Sequence, residues 1–294
     1  MRFVDVRNDV AFKKIFGNEG KKEILISFLN SVLGLSGDKE IEDLKILNPY
    51  QAPKIAILKE TILDIRAIDK RKRTFIVEIQ IQKKVGFEKR VLYYTSKAYV
   101  SQLDKGDDYP KLNQVIYIGI VDFDIFRGND YLTRHLILNT STFKQELKDQ
   151  EFNFIELPKF TKDENELESI TDKWIYFIKN ARSLEMVPKC ADFEEMREAY
   201  DLANKMLWNK EELDIYDYWQ MKAQDEKGAI EYSFIEGLLV GIEGMLEIKY
   251  GDRGVELMDS IRNLGGMEKL EEFKELIKRS ASVDELIDRI NKRL

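Results

Sequence analysis

The stretch ILDIRAIDKRKRTFIVEIQIQ, residues 62 to 82, constrains this chain more than any other. Two runs rich in Ile, Leu, Val and Phe flank a short basic link, which is the pattern of a β-hairpin. Strand side chains alternate faces, so Ile62, Asp64 and Arg66 share one side, and Leu63, Ile65 and Ala67 the other. In the second run Ile76, Glu78 and Gln80 share a face, opposite Phe75, Val77 and Ile79. A three-residue turn at Lys70, Arg71 and Lys72 pairs position 69 with 73, and counting back sets Asp64 opposite Glu78. Directly opposed residues on an antiparallel pair lie about 5 Å apart at Cβ. Two carboxylates at that distance repel each other, which builds a poor sheet and a good cradle for a divalent cation. Mg²⁺ takes oxygen ligands in an octahedron and keeps several waters, so Asp64, Glu78 and a backbone carbonyl, that of Ile79, suffice. Such a cation polarises a phosphoryl oxygen and lowers the pKa of an attacking water. Gln80, two residues on from Glu78, is placed to orient that water or touch the phosphate. From spacing alone, solvent-facing acids on a one-sided sheet remain the competing reading.

A basic stretch follows the same segment. Lys70, Arg71, Lys72, Arg73, Lys83, Lys84, Lys89 and Arg90 fall in the turn, at the strand exit and at the start of the next helix. Set within a chain of net charge −7, this local positive charge suits a phosphodiester substrate. Other chemistries are short of residues. The lone cysteine, Cys190, excludes a disulfide framework or multi-cysteine zinc site, and its neighbours VPKCADF offer no activating base. A Ser-His-Asp triad or a zinc protease would have to rest on one histidine, His135, in YLTRHLILNT. Hydrolytic chemistry here must therefore run on carboxylates, lysines and a hard metal ion. The N-terminal MRFVDVRNDVAF lacks a signal-peptide apolar core. The one apolar run long enough to notice, FIEGLLVGIEGMLEIKYG, carries Glu236, Glu243 and Glu247, which are costly in lipid. A cytoplasmic protein with no membrane span is expected.

At 294 residues the chain has room for one or two domains. NDVAFKKIFG reads as a short helix capped by Asn8 or Asp9 and stopped by Gly17, and KKEILISFLNSVLG as a second helix stopped by Gly34. IEDLKILNPYQ, TILDIRAID and TFIVEIQIQ are three strand-like runs, then EKRVLYYTSKAYVSQLDKG returns to helical spacing. NQVIYIGIVDF is a continuous apolar run, as in a strand buried on both faces, and RHLILNT and FNFIELPKF are two further strands. Beyond residue 160 the strands stop and helices rich in Glu and Lys follow. The expectation is an α/β (α+β) domain over 1–160 and a helical region over 161–294, the latter suited to self-association. Gly237, Gly241 and Gly244 in that region permit close helix contact or mark bends and stops.

The order NDVAFKKIFG, ILDIRAID, FIVEIQIQ and KRVLYYTSKAYVSQL resembles the recombination-promoting nuclease and putative transposase family, within the PD-(D/E)xK nuclease superfamily. The likeness runs over essentially the whole chain. It implies a restriction-endonuclease-like αβββαβ core with a mixed central sheet, and a Mg²⁺-dependent DNA endonuclease of low sequence specificity linked to recombination or mobile elements, with Mn²⁺ or Ca²⁺ as alternatives. Asp64 matches the superfamily's first acid, Glu78 its second, and Gln80 stands where lysine is usual. Glutamine carries no charge, although the family pattern itself commonly shows it there; the residue before Asp64 is Leu63 rather than proline. An acidic residue of the first helix reaches the active site in related nucleases, which points to Asp9, four residues before Lys13. A helix-capping Asp9 paired with Lys13 is the alternative. DNA-contacting candidates are Lys13, Arg71, Lys72, Arg73, Lys83, Lys84, Arg90 and Gln102. The competing functions are a catalytically inactive DNA-binding or protein-interaction module on the same fold, and a scaffold that self-associates through its helical tail.

Overall fold

The computed structural model describes residues 2–48, 50–51 and 61–291, with the side chains of residues 50, 51, 61 and 62 excepted. The facing of the Ile62 side chain, expected on the Asp64 side, and residues 292–294 lie outside the described residues. The chain divides into two compact units, Met1–Gln220 and Met221–Leu294.

The first unit opens with α1 (Asp9–Phe16). Asn8 caps it, its side chain accepting from the N–H groups of Val10 and Ala11, and Gly17 ends it. Helix α2 (Lys22–Leu33) stops at Gly34, whose φ of 62° is the left-handed cap geometry that glycine adopts without strain. The strands are β1 (Leu44–Leu47), β2 (Tyr50–Gln51), β3 (Thr61–Ile62), β4 (Ile65–Asp69) and β5 (Thr74–Gln80). After helix α3 (Phe87–Val100) come β6 (Val115–Val121), β7 (Leu132–Leu136) and β8 (Gln150–Glu156). Six of them form one sheet in the order β1-β4-β5-β6-β8-β7, while β2 and β3 pair separately. β5, β6 and β8 run parallel; β1, β4 and β7 are antiparallel to their neighbours. The expected mixed sheet and αβββαβ order are present, with β7 and β8 added beyond β6.

The hairpin of β4 and β5 has the expected register. Ile65 faces Val77 and Ala67 faces Phe75, so every pair sums to the value that aligns 64 with 78. The turn closes where it should, with the Asp69 N–H donating to the Arg73 carbonyl. Lys72 takes a φ of 65° to make it.

Two apolar layers cover the sheet. Ile65, Ala67, Phe75, Val77, Ile116, Ile118 and Ile120 pack with α1, α2, α4 (Ile170–Asn180) and α5 (Glu194–Ala203). Ile76, Val115, Tyr117, Val121, Phe152 and Phe154 pack under α3 through Phe87, Val91 and Ala98. One facing differs from the alternation. Leu63 lies in the α3 layer, although Ile65 and Ala67 lie in the other. The reason is a bend at Asp64, between β3, which pairs with β2, and β4, which pairs with β1. The strand is therefore broken at the residue that carries the first carboxylate.

The second unit holds most of α6 (Lys210–Tyr250), then α7 (Asp252–Val255), α8 (Met258–Arg262), α9 (Met267–Arg279) and α10 (Val283–Asn291). Its own core joins Leu238, Leu239, Ile242, Leu246, Ile261, Leu270, Phe273 and Leu286. Gly237, Gly241 and Gly244 sit inside the unbroken α6, and a Cβ on any of them would meet nothing within 4 Å. They mark no stop. No described helix is long and apolar enough to cross a membrane.

Candidate active site

The bend at residue 64 turns its carboxylate across to the next strand, where Oδ2 accepts from the Ile79 N–H at 2.8 Å. Lys13 of α1 stands on the other side, with Nζ 3.5 Å from Asp64 Oδ1 and 2.8 Å from Asp9 Oδ1. Glu78 is only 7% exposed and accepts from the Tyr117 hydroxyl at 3.0 Å. Gln80 accepts at Oε1 from Arg90 Nη2 at 2.5 Å. Four predicted site residues, Asp9, Asp64, Glu78 and Gln80, thus gather at one end of β5, together with Lys13 and Arg90.

Elements around the sheet hold these groups in place. Arg7 bridges Asp5 and Asp122, at 2.9 and 2.8 Å, and so ties the segment that leads into α1 to the end of β6. Gly119 faces Glu78 across the β5–β6 ladder, and its bare backbone leaves room for the Tyr117 ring: a Cβ there would lie 2.8 Å from Tyr117 Cε1. Tyr117 was not singled out by the sequence. The signal was present, since it is the one hydroxyl in the buried run VIYIGIV and a buried phenol needs a partner.

Both carboxyls resist ionising. Burial, then the adjoining Asp9 carboxyl and the charge on Glu78, push Asp64 up to about 8, against the pull of the Ile79 N–H. Burial pushes Glu78 up to about 7, opposed by the Tyr117 hydrogen bond and the positive charges of Arg90 and Lys13. A divalent cation would remove this conflict by supplying charge where the chain has concentrated acids. The donors fit a hard ion. Gln80 C=O accepts from Asp122 N–H toward β6, so by alternation the Ile79 carbonyl faces the Asp64 side. Two carboxylates and one carbonyl leave the remaining positions to water, which suits Mg²⁺. Among the described residues no group of three or more Asp, Glu, His or Cys side chains forms a ready-made metal cluster.

The other predicted residues scatter. Lys83 and Lys84 are exposed just past Gln80, Lys83 Nζ donating to the Asp124 carbonyl at 3.0 Å. Arg71 and Lys72 are exposed at the turn, beyond the 69/73 pair that itself lies five residues along each strand from the carboxylates, about 16 Å at strand rise. Arg73, also there, is committed to Asp69 at 2.7 Å and lies over the Phe75 ring. Gln102 fastens the end of α3 to the start of β6, exchanging hydrogen bonds with the Asn113 backbone at 2.9 and 2.8 Å. His135 stacks against Phe126, centroids 4.4 Å apart, and burial pushes its pKa down. Burial lifts the Cys190 thiol to about 11, away from any nucleophilic use.

Against known families, the sequence model described as PD-(D/E)XK nuclease family transposase matches residues 6–233. No curated protein and no solved structure matches. The matched span takes in every residue gathered at the end of β5.

Proposed function

Since the chain belongs to the PD-(D/E)XK nuclease family transposases, a family of nuclease fold, we propose that it is a metal-dependent endonuclease that hydrolyses DNA phosphodiester bonds with low sequence specificity. Its setting would be recombination or a mobile element in the cytoplasm. The observation that carries this reading is the pair Asp64 and Glu78: one step beyond the Ile65–Val77 pair of the hairpin, largely buried, and each pushed toward neutrality chiefly by that burial. Asp64, Glu78 and the Ile79 carbonyl would hold Mg²⁺, with Mn²⁺ or Ca²⁺ as alternatives, and Asp9 would stand behind them. When bound, the ion supplies Lewis acidity to the phosphoryl oxygen and a more acidic water. In hydrolysis a water oxygen bonds to phosphorus, one P–O ester bond breaks, and the departing sugar oxygen takes a proton. Tyr117 keeps Glu78 oriented throughout, and Lys13 offsets the charge of Asp9 and Asp64. Lys83 and Lys84, exposed just past Gln80, would meet the flanking DNA backbone.

A second reading, an inactive DNA-binding or interaction module, draws on the neutral Gln80 and on the absence of a three-carboxylate cluster among the described residues. Supercoiled plasmid separates the two. Nicking that requires both Mg²⁺ and Asp64, lost in EDTA and in Asp64→Ala, supports the nuclease. Retention of DNA by wild type without nicking, whatever the divalent ion, selects the module.

A further inference from the structure

Phosphodiester cleavage spreads negative charge over the phosphoryl oxygens, and a site that speeds it needs a positive group free to meet that charge. Lys13 is not free, because its ammonium already lies between the carboxylates of Asp9 and Asp64. Arg90 is differently placed. Its guanidinium is half-buried at the end of β5, and its one hydrogen bond among the described residues goes to the neutral amide oxygen of Gln80. The Phe87 and Tyr94 rings flank it at 5.3 and 5.8 Å. Nε is buried and finds no hydrogen-bond partner among the described residues. A guanidinium carries five donors in a planar fork that matches phosphate. This one is oriented, partly desolvated and, among the described residues, paired with no anion. Gln80 suits the holding task because an amide fixes the fork without cancelling its charge, as a carboxylate would.

We propose that Arg90 is the cation that contacts the scissile phosphate, and that Gln80 is the residue that positions it. The charge missing from position 80 thus enters from α3, ten residues later, and the glutamine acts through the arginine. That Arg90 already pulls on the ionisation of Glu78 agrees with a guanidinium inside the site's field. This inference rests on the nuclease reading above and deepens it.

The test is a charge relocation in the full-length protein, read as kcat and KM on plasmid with Mg²⁺, with thermal melting as the check on folding. Arg90→Ala should lower kcat by about 100-fold or more while KM for DNA moves only a few-fold, as for loss of one transition-state donor. Gln80→Ala should cost less, about tenfold, because the rings still hold the guanidinium. The deciding variant is Gln80→Lys combined with Arg90→Ala, which returns a positive charge to the strand. It should cleave at least about tenfold faster than Arg90→Ala alone. A merely structural arginine gives no such recovery, and its absence overturns the proposal. If Arg90→Ala melts early, Arg90→Met keeps the stem over the rings and carries the same comparison. Arg90→Ala cleaving within about threefold of wild type while Asp64→Ala is dead overturns the inference and leaves the nuclease reading intact. Wild type that fails to cleave with Mg²⁺ or Mn²⁺ overturns both.

Discussion

At the residue scale the raised carboxyls set a pH dependence of unusual sign. An unfolded Asp or Glu titrates near about 4, whereas in the fold Asp64 titrates at about 8 and Glu78 at about 7. Between those limits the folded chain binds more protons than the unfolded one, so stability falls as pH rises through the window from about 4 to about 8. Asp5 behaves in the opposite way and at lower pH. Burial lifts it, but the hydrogen bonds and charge of Arg7 outweigh that and hold it below the usual range. Its stabilisation is present above about 4 and disappears as pH falls through its lowered value. In EDTA, Tm at pH 8 should therefore lie below Tm at pH 5.5, and Asp64→Asn should flatten the difference. Mg²⁺ should flatten it too, because an ion bound to the carboxylates displaces the protons. A Tm that climbs with pH in EDTA would contradict the burial of this pair. Gly119 gives a second residue-scale outcome. A methyl there meets the Tyr117 ring at 2.8 Å, so Gly119→Ala should push the hydroxyl off Glu78 and cost about 1–3 kcal/mol. Loss of that donor raises Glu78 further, and the acid limb of the cleavage profile should shift to higher pH.

At the scale of elements, the hairpin was largely legible and its surroundings were not. A three-residue turn leaves one register, and Ile65 opposite Val77 is what the count required. The facing of Leu63 escaped, because a bend at Asp64 depends on β3 and β4 finding different partners. Arg71 and Lys72 are close to Asp64 in sequence, yet a hairpin puts its turn at the far end from its open end. Their distance follows from strand rise alone, so proximity along the chain misled where geometry was available. Lys13 reaches Asp64, and Arg90 reaches Gln80, from two helices that dock separately, and no local spacing encodes docking. Helix α6 offers a cleaner test of sequence logic. Glycine inside a helix costs about 1 kcal/mol relative to alanine, and Gly241 has open space where a Cβ would go. Gly241→Ala should therefore raise the stability of the second unit by about 0.5–1 kcal/mol in denaturant titration. Were the glycine face to carry self-association, the same change would weaken it, visible as a shift to smaller species in light scattering.

At the scale of the whole molecule, the chain keeps its apolar residues in separate cores, and α6 carries the boundary between its two units, after Gln220. From residue 217 to 234 that helix is exposed on nearly every side, with only Gln220 and Ala223 half-buried. Further along, Leu238, Leu239, Ile242 and Leu246 are buried among α8, α9 and α10. A helix segment that buries so little of its side chains opens at less cost than one packed in a core. Amides of residues 217–234 should exchange hydrogen well ahead of those of residues 238–250, although all belong to one helix. The same division predicts where a core defect is felt. Phe273 is fully buried in the second unit, and Phe273→Ala should cost that unit about 3–5 kcal/mol. Exchange should then quicken across residues 238–291 and stay unchanged in β5 and β6, whose neighbours lie in other cores. Plasmid nicking by that variant should persist at a temperature where its second unit has already melted. Equal acceleration in β5 and β6 would mean that the helical unit and the carboxylate-bearing sheet unfold as one, and that the cores are separate in space but not in energy.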